Sequence, residues 1–337
     1  MVLSAISLAG SLTTTILFKN SMSALITGIH HITAIAGNAQ ENVDFYTGIL
    51  GLRMVKKTIN FDAPDVYHFY FGDELGTPGT VFTTFPFEGA RKGTKGAGEL
   101  TYTAFSIPSA SLTYWKERLR KYNIITSDVL TRFGEQLIRF EDHDGMGIEL
   151  IANDQDDRKG WVYGNIPAEH VIKGFYGATL NLKAKELTEK LLTQFMNYKF
   201  IAEEEGRYRY GTQGKPGDIV DIVLDKTGRQ GVQSAGTVHH IAFRTANNQT
   251  QLEIQKILMN NGYQVTEVKD RNYFKSIYFR EPGGVLFEIA TDEPGFDIDE
   301  DEAHLGELLK LPEWAEPHRE KIASRLAKVQ LNTEKYV

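Results

Sequence analysis

A unit of one strand, one amphipathic helix and three further strands recurs four times along this 337-residue chain, at a spacing of roughly 70 residues. In the first copy, residues 29–35 read as a strand. Residues 39–50 place Val43, Tyr46 and Leu50 on one helical face and stop at Gly51. Residues 53–58, 67–71 and 80–85 follow, rich in β-branched and aromatic side chains. The second copy opens at 100–105, carries Leu112, Trp115 and Leu119 on its helix, and closes at 147–151. The third opens at 176–182, takes Leu187, Leu191 and Phe195 as its helical stripe, and closes at 219–224. The fourth opens at Val238, has a helix bearing Ile254, Ile257, Leu258 and Asn261 before Gly262, and closes on a strand holding Glu288. A half-sheet with one helix cannot bury both of its faces alone, so such units pair. The expected fold class is α+β: four βαβββ modules paired into two domains.

The domain boundary is expected at the polar, aperiodic stretch 154–173, which holds Asp154, Asp156, Asp157 and Pro167. That gives a first domain at 23–153 and a second at 174–292, two modules each, followed by a helical tail at 293–337. Residues 1–22 read as an N-terminal extension. Their apolar opening resembles a signal-peptide core, but no lysine or arginine precedes it, as export requires. A second methionine, Met22, stands just before the first strand, and a natural start near it is the preferred reading.

Composition narrows the function. With 41% hydrophobic and 24% charged residues the chain has the make-up of a soluble globular protein. A net charge of −7 offers no footprint for nucleic acid or an anionic membrane. The absence of cysteine removes disulfides, thiolate metal sites, iron–sulfur clusters and cysteine nucleophiles. No apolar run reaches the ~20 residues of a membrane span. A cytoplasmic protein is expected, without a nucleic-acid or membrane partner; a homo-oligomer remains open.

Two modules open on the same tripeptide. His30-His31-Ile32 begins the first and His239-His240-Ile241 the fourth, 209 positions apart (240 − 31). Two imidazoles with one carboxylate form the ligand set that holds Fe(II) on one face and leaves the other open. Glu288, at the end of the fourth module, can supply the carboxylate. Adjacent strand residues point to opposite faces, so only one histidine of each pair can enter a common cup. The residues alone do not say which. Glu149 closes the second module as Glu288 closes the fourth. However, Tyr102-Thr103 and Gly177-Ala178 stand where histidines would be needed, so Glu149 reads as structural and a single metal is expected, shared by the first and fourth modules.

These residues resemble a known family. The paired βαβββ modules with a metal cup are similar to the vicinal oxygen chelate superfamily of glyoxalases and extradiol dioxygenases, and more specifically to its hydroquinone ring-cleaving dioxygenases of aromatic hydrocarbon catabolism. The resemblance is carried by His30-His31-Ile32-Thr33, by the string from Tyr67 through Asp73-Glu74-Leu75-Gly76-Thr77-Pro78-Gly79-Thr80, by His239-His240, by Arg271-Asn272-Tyr273-Phe274, and by Pro282-Gly283-Gly284-Val285-Leu286-Phe287-Glu288. It covers the chain from about Leu25 onward and implies two glyoxalase/extradiol-dioxygenase-like domains. It implies His31, His240 and Glu288 as ligands of Fe(II), with Mn(II) as the alternative ion. It also implies Tyr278, Arg271 and Thr33 as pocket residues, with His30 and His239 orienting substrate or relaying a proton. The implied partners are a small aromatic diol and O₂, and the implied activity is ring cleavage with incorporation of O₂.

Other functions on such a scaffold are a catechol extradiol dioxygenase, a glyoxalase-like lyase or isomerase, and a metal-free binding protein. The glyoxalase type usually has four protein ligands, and the fourth position, near Phe82-Thr83, offers neither carboxylate nor imidazole. An intact ligand triad speaks against the metal-free type. His68 reads as a core histidine within Tyr67-His68-Phe69-Tyr70-Phe71. His143, His170, His304 and His318 have no metal-like company.

Overall fold

The structure is a computed structural model that describes residues 25–225 and 228–337. The proposed extension, residues 1–22, lies outside the described residues. The first module holds β1 (Ile29–Ala36), α1 (Ala39–Val43), β2 (Arg53–Asn60), β3 (Ala63–Gly72) and β4 (Val81–Pro86). The second holds β5 (Glu99–Ile107), α2 (Leu112–Lys121), β6 (Leu130–Arg132), β7 (Glu135–Glu141) and β8 (Gly147–Ala152). The third holds β9 (Gly174–Leu182), α3 (Glu186–Gln194), β10 (Lys199–Glu204), β11 (Arg207–Gly211) and β12 (Ile219–Leu224). The fourth holds β13 (Thr237–Thr245), α4 (Asn248–Asn260), β14 (Lys269–Asp270), β15 (Phe274–Arg280) and β16 (Leu286–Pro294). All four expected modules are present.

The strands form two eight-stranded sheets, ordered β14-β15-β16-β13-β1-β4-β3-β2 and β10-β11-β12-β9-β5-β8-β7-β6. The first and fourth modules therefore share one sheet, and the second and third share the other. This corrects the expected pairing inside 23–153 and inside 174–292: hydrogen bonding crosses the 154–173 boundary in both sheets. The cause is that β1 finds its antiparallel partner in β13, and β5 in β9. The linkers that carry the chain between sheets run side by side, bridged at Lys92–Ala235, Thr94–Val232 and Ala97–Gln230.

One large apolar core spans both sheets, with Phe82, Phe105 and Phe175 in a row and Tyr46 stacked on Phe71 and Phe82. The helices bury the side of their strands away from the cups. In α2 the inward residues include Leu112, Trp115 and Leu119, as the 3.6-residue period requires. In α3 the expected stripe is rotated: Leu187 is 63% exposed, and Thr188, Leu191 and Leu192 are buried. Thr188 turns inward because its hydroxyl donates to the buried carboxylate of Glu281. The helix expected at 39–50 changes winding at Asp44, where a π-helical turn, Asp44–Ile49, follows α1. Gly48 in that turn lies flat against Tyr336, whose ring would be 2.4 Å from an added Cβ.

The tail is not the expected helical segment. Its one α-helix is α5 (Arg319–Ala323), with single 3₁₀ turns at Glu302–His304, Glu316–His318 and Thr333–Tyr336. Pro312 and Pro317 interrupt any longer helix. The tail instead straps the first and second modules. Asp299 and Glu300 each lie 2.6 Å from the buried Lys56 ammonium, and the carbonyls of Tyr336 and Val337 accept from Arg118 and Lys121 of α2. Among the described residues, no helix is long and apolar enough to cross a membrane.

Candidate metal centre and cavity

Three adjacent strands, β16, β13 and β1, bring Glu288, His240 and His31 to one place. His240 Nε2 lies 2.9 Å from Glu288 Oε2, His31 Nε2 lies 3.4 Å from the same oxygen, and the two Nε2 atoms are 3.3 Å apart. All three residues are buried. Glu288 Oε1 accepts from the Ser276 hydroxyl, whereas Oε2 is buried without a hydrogen-bond donor. A buried carboxylate oxygen facing two imidazole nitrogens is strongly unfavourable unless a cation joins them. The donor set therefore fits a divalent metal.

The outer histidines set the inner ones. His30 Nδ1 is 2.9 Å from His31 Nδ1, and His30 Nε2 is 3.1 Å from the Thr291 carbonyl. A carbonyl can only accept, so His30 carries its proton on Nε2 and accepts from His31 Nδ1–H. His31 is then left with a free lone pair on Nε2, aimed at Glu288. The fourth module repeats the arrangement, with His239 Nδ1 2.8 Å from His240 Nδ1. Burial and the neighbouring His31 hold His30 well below the usual imidazole range. Burial and His240 lower His239 to about 3, and burial also lowers His240. Burial alone would raise the Glu288 carboxyl; positive charge at His31 and His240 lowers it well below its usual range, a role that a cation held between the three side chains would take over.

A cavity of about 450 Å³ opens over the two inner imidazoles. Phe61, Phe85, Phe87, Phe274 and Leu286 give it apolar walls, and Asn60, Asp62, His68, Tyr70, His239, Arg271 and Tyr278 supply polar groups. Tyr278 packs edge-on to His240 at 5.8 Å and accepts a 3.2 Å hydrogen bond from Arg271 Nε. Burial and the charge of Glu288 raise the Tyr278 phenol, which stays protonated. Two residues expected in the pocket do not line it. His30 lies behind His31, and Thr33 is fully buried with its hydroxyl 2.7 Å from that of Thr83.

His68 and Tyr70 were not anticipated in the cavity. Their signal was the strand period itself: in 67–71 the odd residues Tyr67, Phe69 and Phe71 enter the core, so His68 and Tyr70 share the opposite face. A second cluster, Asp142, His143 and Asp144, also groups within 4.8 Å. Its carboxylates serve a turn: Asp142 accepts from the Asp144 and Met146 amides and from Tyr46, and Asp144 accepts from the Gly37 amide.

The chain belongs to the Glyoxalase/Bleomycin resistance protein/Dioxygenase superfamily, whose family model matches residues 28–150 and 171–289. It is 46% identical over 299 residues to MhqO of Bacillus subtilis (strain 168), provisionally named a ring-cleaving dioxygenase, across 89% of this chain and 95% of that protein. It is 38% identical over 295 residues to the chlorohydroquinone/hydroquinone 1,2-dioxygenase of Sphingobium indicum, across 85% of this chain and 91% of that protein. A crystal structure from Bacillus subtilis, provisionally described as a dioxygenase, superposes with a TM-score of 0.88 at 45% identity, covering 91% of this chain and 98% of that one. Glyoxalase I from Zea mays shares the fold, with a TM-score of 0.60 at 12% identity, covering 79% and 92%.

Proposed function

We propose that this protein is an Fe(II)-dependent ring-cleaving dioxygenase that inserts O₂ into a hydroquinone-type aromatic diol, with Mn(II) as the alternative ion. The observation that carries this reading is the buried Glu288 Oε2, without a hydrogen-bond donor and facing the Nε2 atoms of His31 and His240, the two imidazoles that line the cavity. The relatives named as ring-cleaving and hydroquinone dioxygenases support it.

His31, His240 and Glu288 would hold the metal, which when bound acidifies a coordinated hydroxyl and supplies a site for O₂. The protein's own groups do the rest. Phe85 and Phe274 flank an aromatic ring and exclude water. Tyr278 accepts from Arg271, so its own proton is free to donate toward an oxygen in the cavity. With His240 Nε2 on the metal, its Nδ1–H donates to His239 Nδ1, which leaves the His239 proton on Nε2 as a second neutral donor. Arg271 adds a fixed positive charge at the cavity wall, 3.7 Å from Asp62.

A para-diol reaches the metal through one oxygen only, so its other hydroxyl needs a polar partner inside the cavity. Leaving that group unpaired would cost roughly 1–3 kcal/mol. The number of polar groups in this cavity favours hydroquinones over catechols, which can bind through both oxygens. Anaerobic loading with Fe(II), followed by oxygen-electrode assays on methylhydroquinone and methylcatechol, tests the reading. About one iron per chain and faster O₂ uptake with the hydroquinone are expected. A tenfold higher kcat/KM for the catechol would reassign the substrate. No uptake with either diol would end the dioxygenase reading.

A further inference from the structure

The first sheet carries a local twofold between its two modules. Thr33 faces His240 and His31 faces Ala242, so exchanging the modules takes His31 to His240 and Thr33 to Ala242. The next ladders extend the correspondence. Thr83 faces Thr33 as Glu288 faces Ala242. Tyr70 faces Thr83 as Tyr278 faces Glu288. Tyr70 is thus the counterpart of Tyr278 on the opposite flank of the cup, and both line the cavity. The first module places a hydroxyl, Thr83, where the fourth places its ligand carboxylate. Its flank therefore serves something other than the metal.

Tyr70 is tied into a chain of polar groups. Its hydroxyl is 2.9 Å from His68 Nδ1, His68 Nε2 is 2.9 Å from Thr83 Oγ1, and Thr83 Oγ1 is 2.7 Å from Thr33 Oγ1. The two ring centres lie 4.0 Å apart with the planes tilted by 33°, and His68 rests against Phe85 at 4.4 Å. Both nitrogens of His68 are engaged, so the imidazole positions its neighbour and the phenol remains as the group that can meet a ligand. A phenol oxygen can donate one hydrogen bond and accept others. The bond to His68 leaves such capacity on the cavity side.

We propose that the Tyr70 hydroxyl, oriented by His68, Thr83 and Thr33, contacts the ring hydroxyl of the bound diol that the metal does not take. This rests on the ring-cleaving reading above. Tyr70 is the group that touches substrate; His68 and Thr83 are positioning residues.

The test compares hydroquinone with 4-methylphenol, which has a methyl group in place of the second hydroxyl. Binding of each is titrated anaerobically to the Fe(II)-loaded full-length chain and to its Y70F, H68Q and T83V variants, with iron content and thermal midpoint measured for all. Wild type is expected to prefer hydroquinone by about tenfold or more, and Y70F to reduce that preference to within about threefold with its iron unchanged. H68Q and T83V should reduce the preference partly and raise KM more than they lower kcat. They also keep the proposal testable if Y70F fails to fold. An unchanged preference in folded, iron-bearing Y70F, or in both H68Q and T83V, would overturn the inference while wild-type O₂ uptake upholds the dioxygenase. A wild type that binds neither phenol would overturn both.

Discussion

The two sheets follow one plan but fill their cups with opposite chemistry. In the first, Glu288 meets two imidazoles. In the second, Glu149 holds the matching ladder position, facing Ala104 as Glu288 faces Ala242. Tyr102 stands at the place of His240, Gly177 at that of His31, and Arg139 at that of Tyr278. Arg132 grips both Glu149 oxygens, at 2.9 and 2.6 Å, and Arg139 adds a 2.7 Å bond. Arg207 and Arg209 pair with Asp221 beside them. The second cup carries its cations as guanidinium groups, whereas the first presents two imidazoles and fits a cation from outside. A carboxylate on this strand is therefore not a metal ligand by position; the residues facing it decide.

The strongest way to break this contrast is to remove each carboxylate in turn. E288A, H31A and H240A are each expected to lose bound iron and at least 100-fold in turnover while keeping the fold, read by metal analysis and circular dichroism. E149A should keep its iron but lose stability, by about 3–5 kcal/mol, because the buried Arg132 guanidinium loses its two-pronged partner and the half-buried Arg139 loses its own; denaturant unfolding measures this. If E149A lost the metal while E288A kept it, the assignment of the two cups would be reversed.

A smaller effect sharpens the first cup alone. S276A removes the donor to Glu288 Oε1 and should weaken iron binding by about 10- to 100-fold without abolishing it, measured by chelator competition. The same cup predicts a pH dependence. Burial lowers His240 and its surroundings hold Glu288 anionic, so both stay competent to bind metal below the ordinary imidazole value of about 6.5. The midpoint for iron release on acidification is expected below that pH, and release centred above it would contradict the arrangement.

The smallest effect concerns the second sheet. Glu99, at the start of β5, has a buried oxygen with no donor, and burial raises its carboxyl to about 7. The raised value means that its contribution to stability is full below the ordinary carboxylate pKa and is lost as pH rises through about 7. E99Q should therefore stabilise the protein at pH 8, by an amount on the order of 1 kcal/mol after allowing for partial exposure, and leave it unchanged or weaker at pH 4. Equal thermal midpoints for both proteins at pH 8 would show that Glu99 finds a partner after all.

The modules were legible in the sequence because strand and helix periods report local burial, whereas the choice of His31 and His240 within their pairs was implied only by the family resemblance. The partner of each strand was not. β1 reads the same whether it pairs with β5 or β13, since the choice is made by residues about 200 positions away. Period alone also misplaced the alignment of the second cup by one residue. Tyr102, not Thr103, matches the inner histidine, and Gly177 does so in the third module. The Ala-Phe pair that follows in both strands, Ala104-Phe105 and Ala242-Phe243, carries the correct alignment, which alternation alone does not record. The role of the tail escaped for a related reason. Its buried residues Leu311, Ala315, Ile322 and Leu326 suggest a helix by spacing, but two prolines and long-range anchors set its course.

The sheet order also has a consequence for the newly made chain. The second sheet uses only residues 99–224, whereas β1 must wait with an open edge until residue 237 and beyond arrive. His31, His240 and Glu288 therefore come together only once the last module has been made. A polypeptide cut short before β13 cannot gather His31, His240 and Glu288 and is expected to hold no metal.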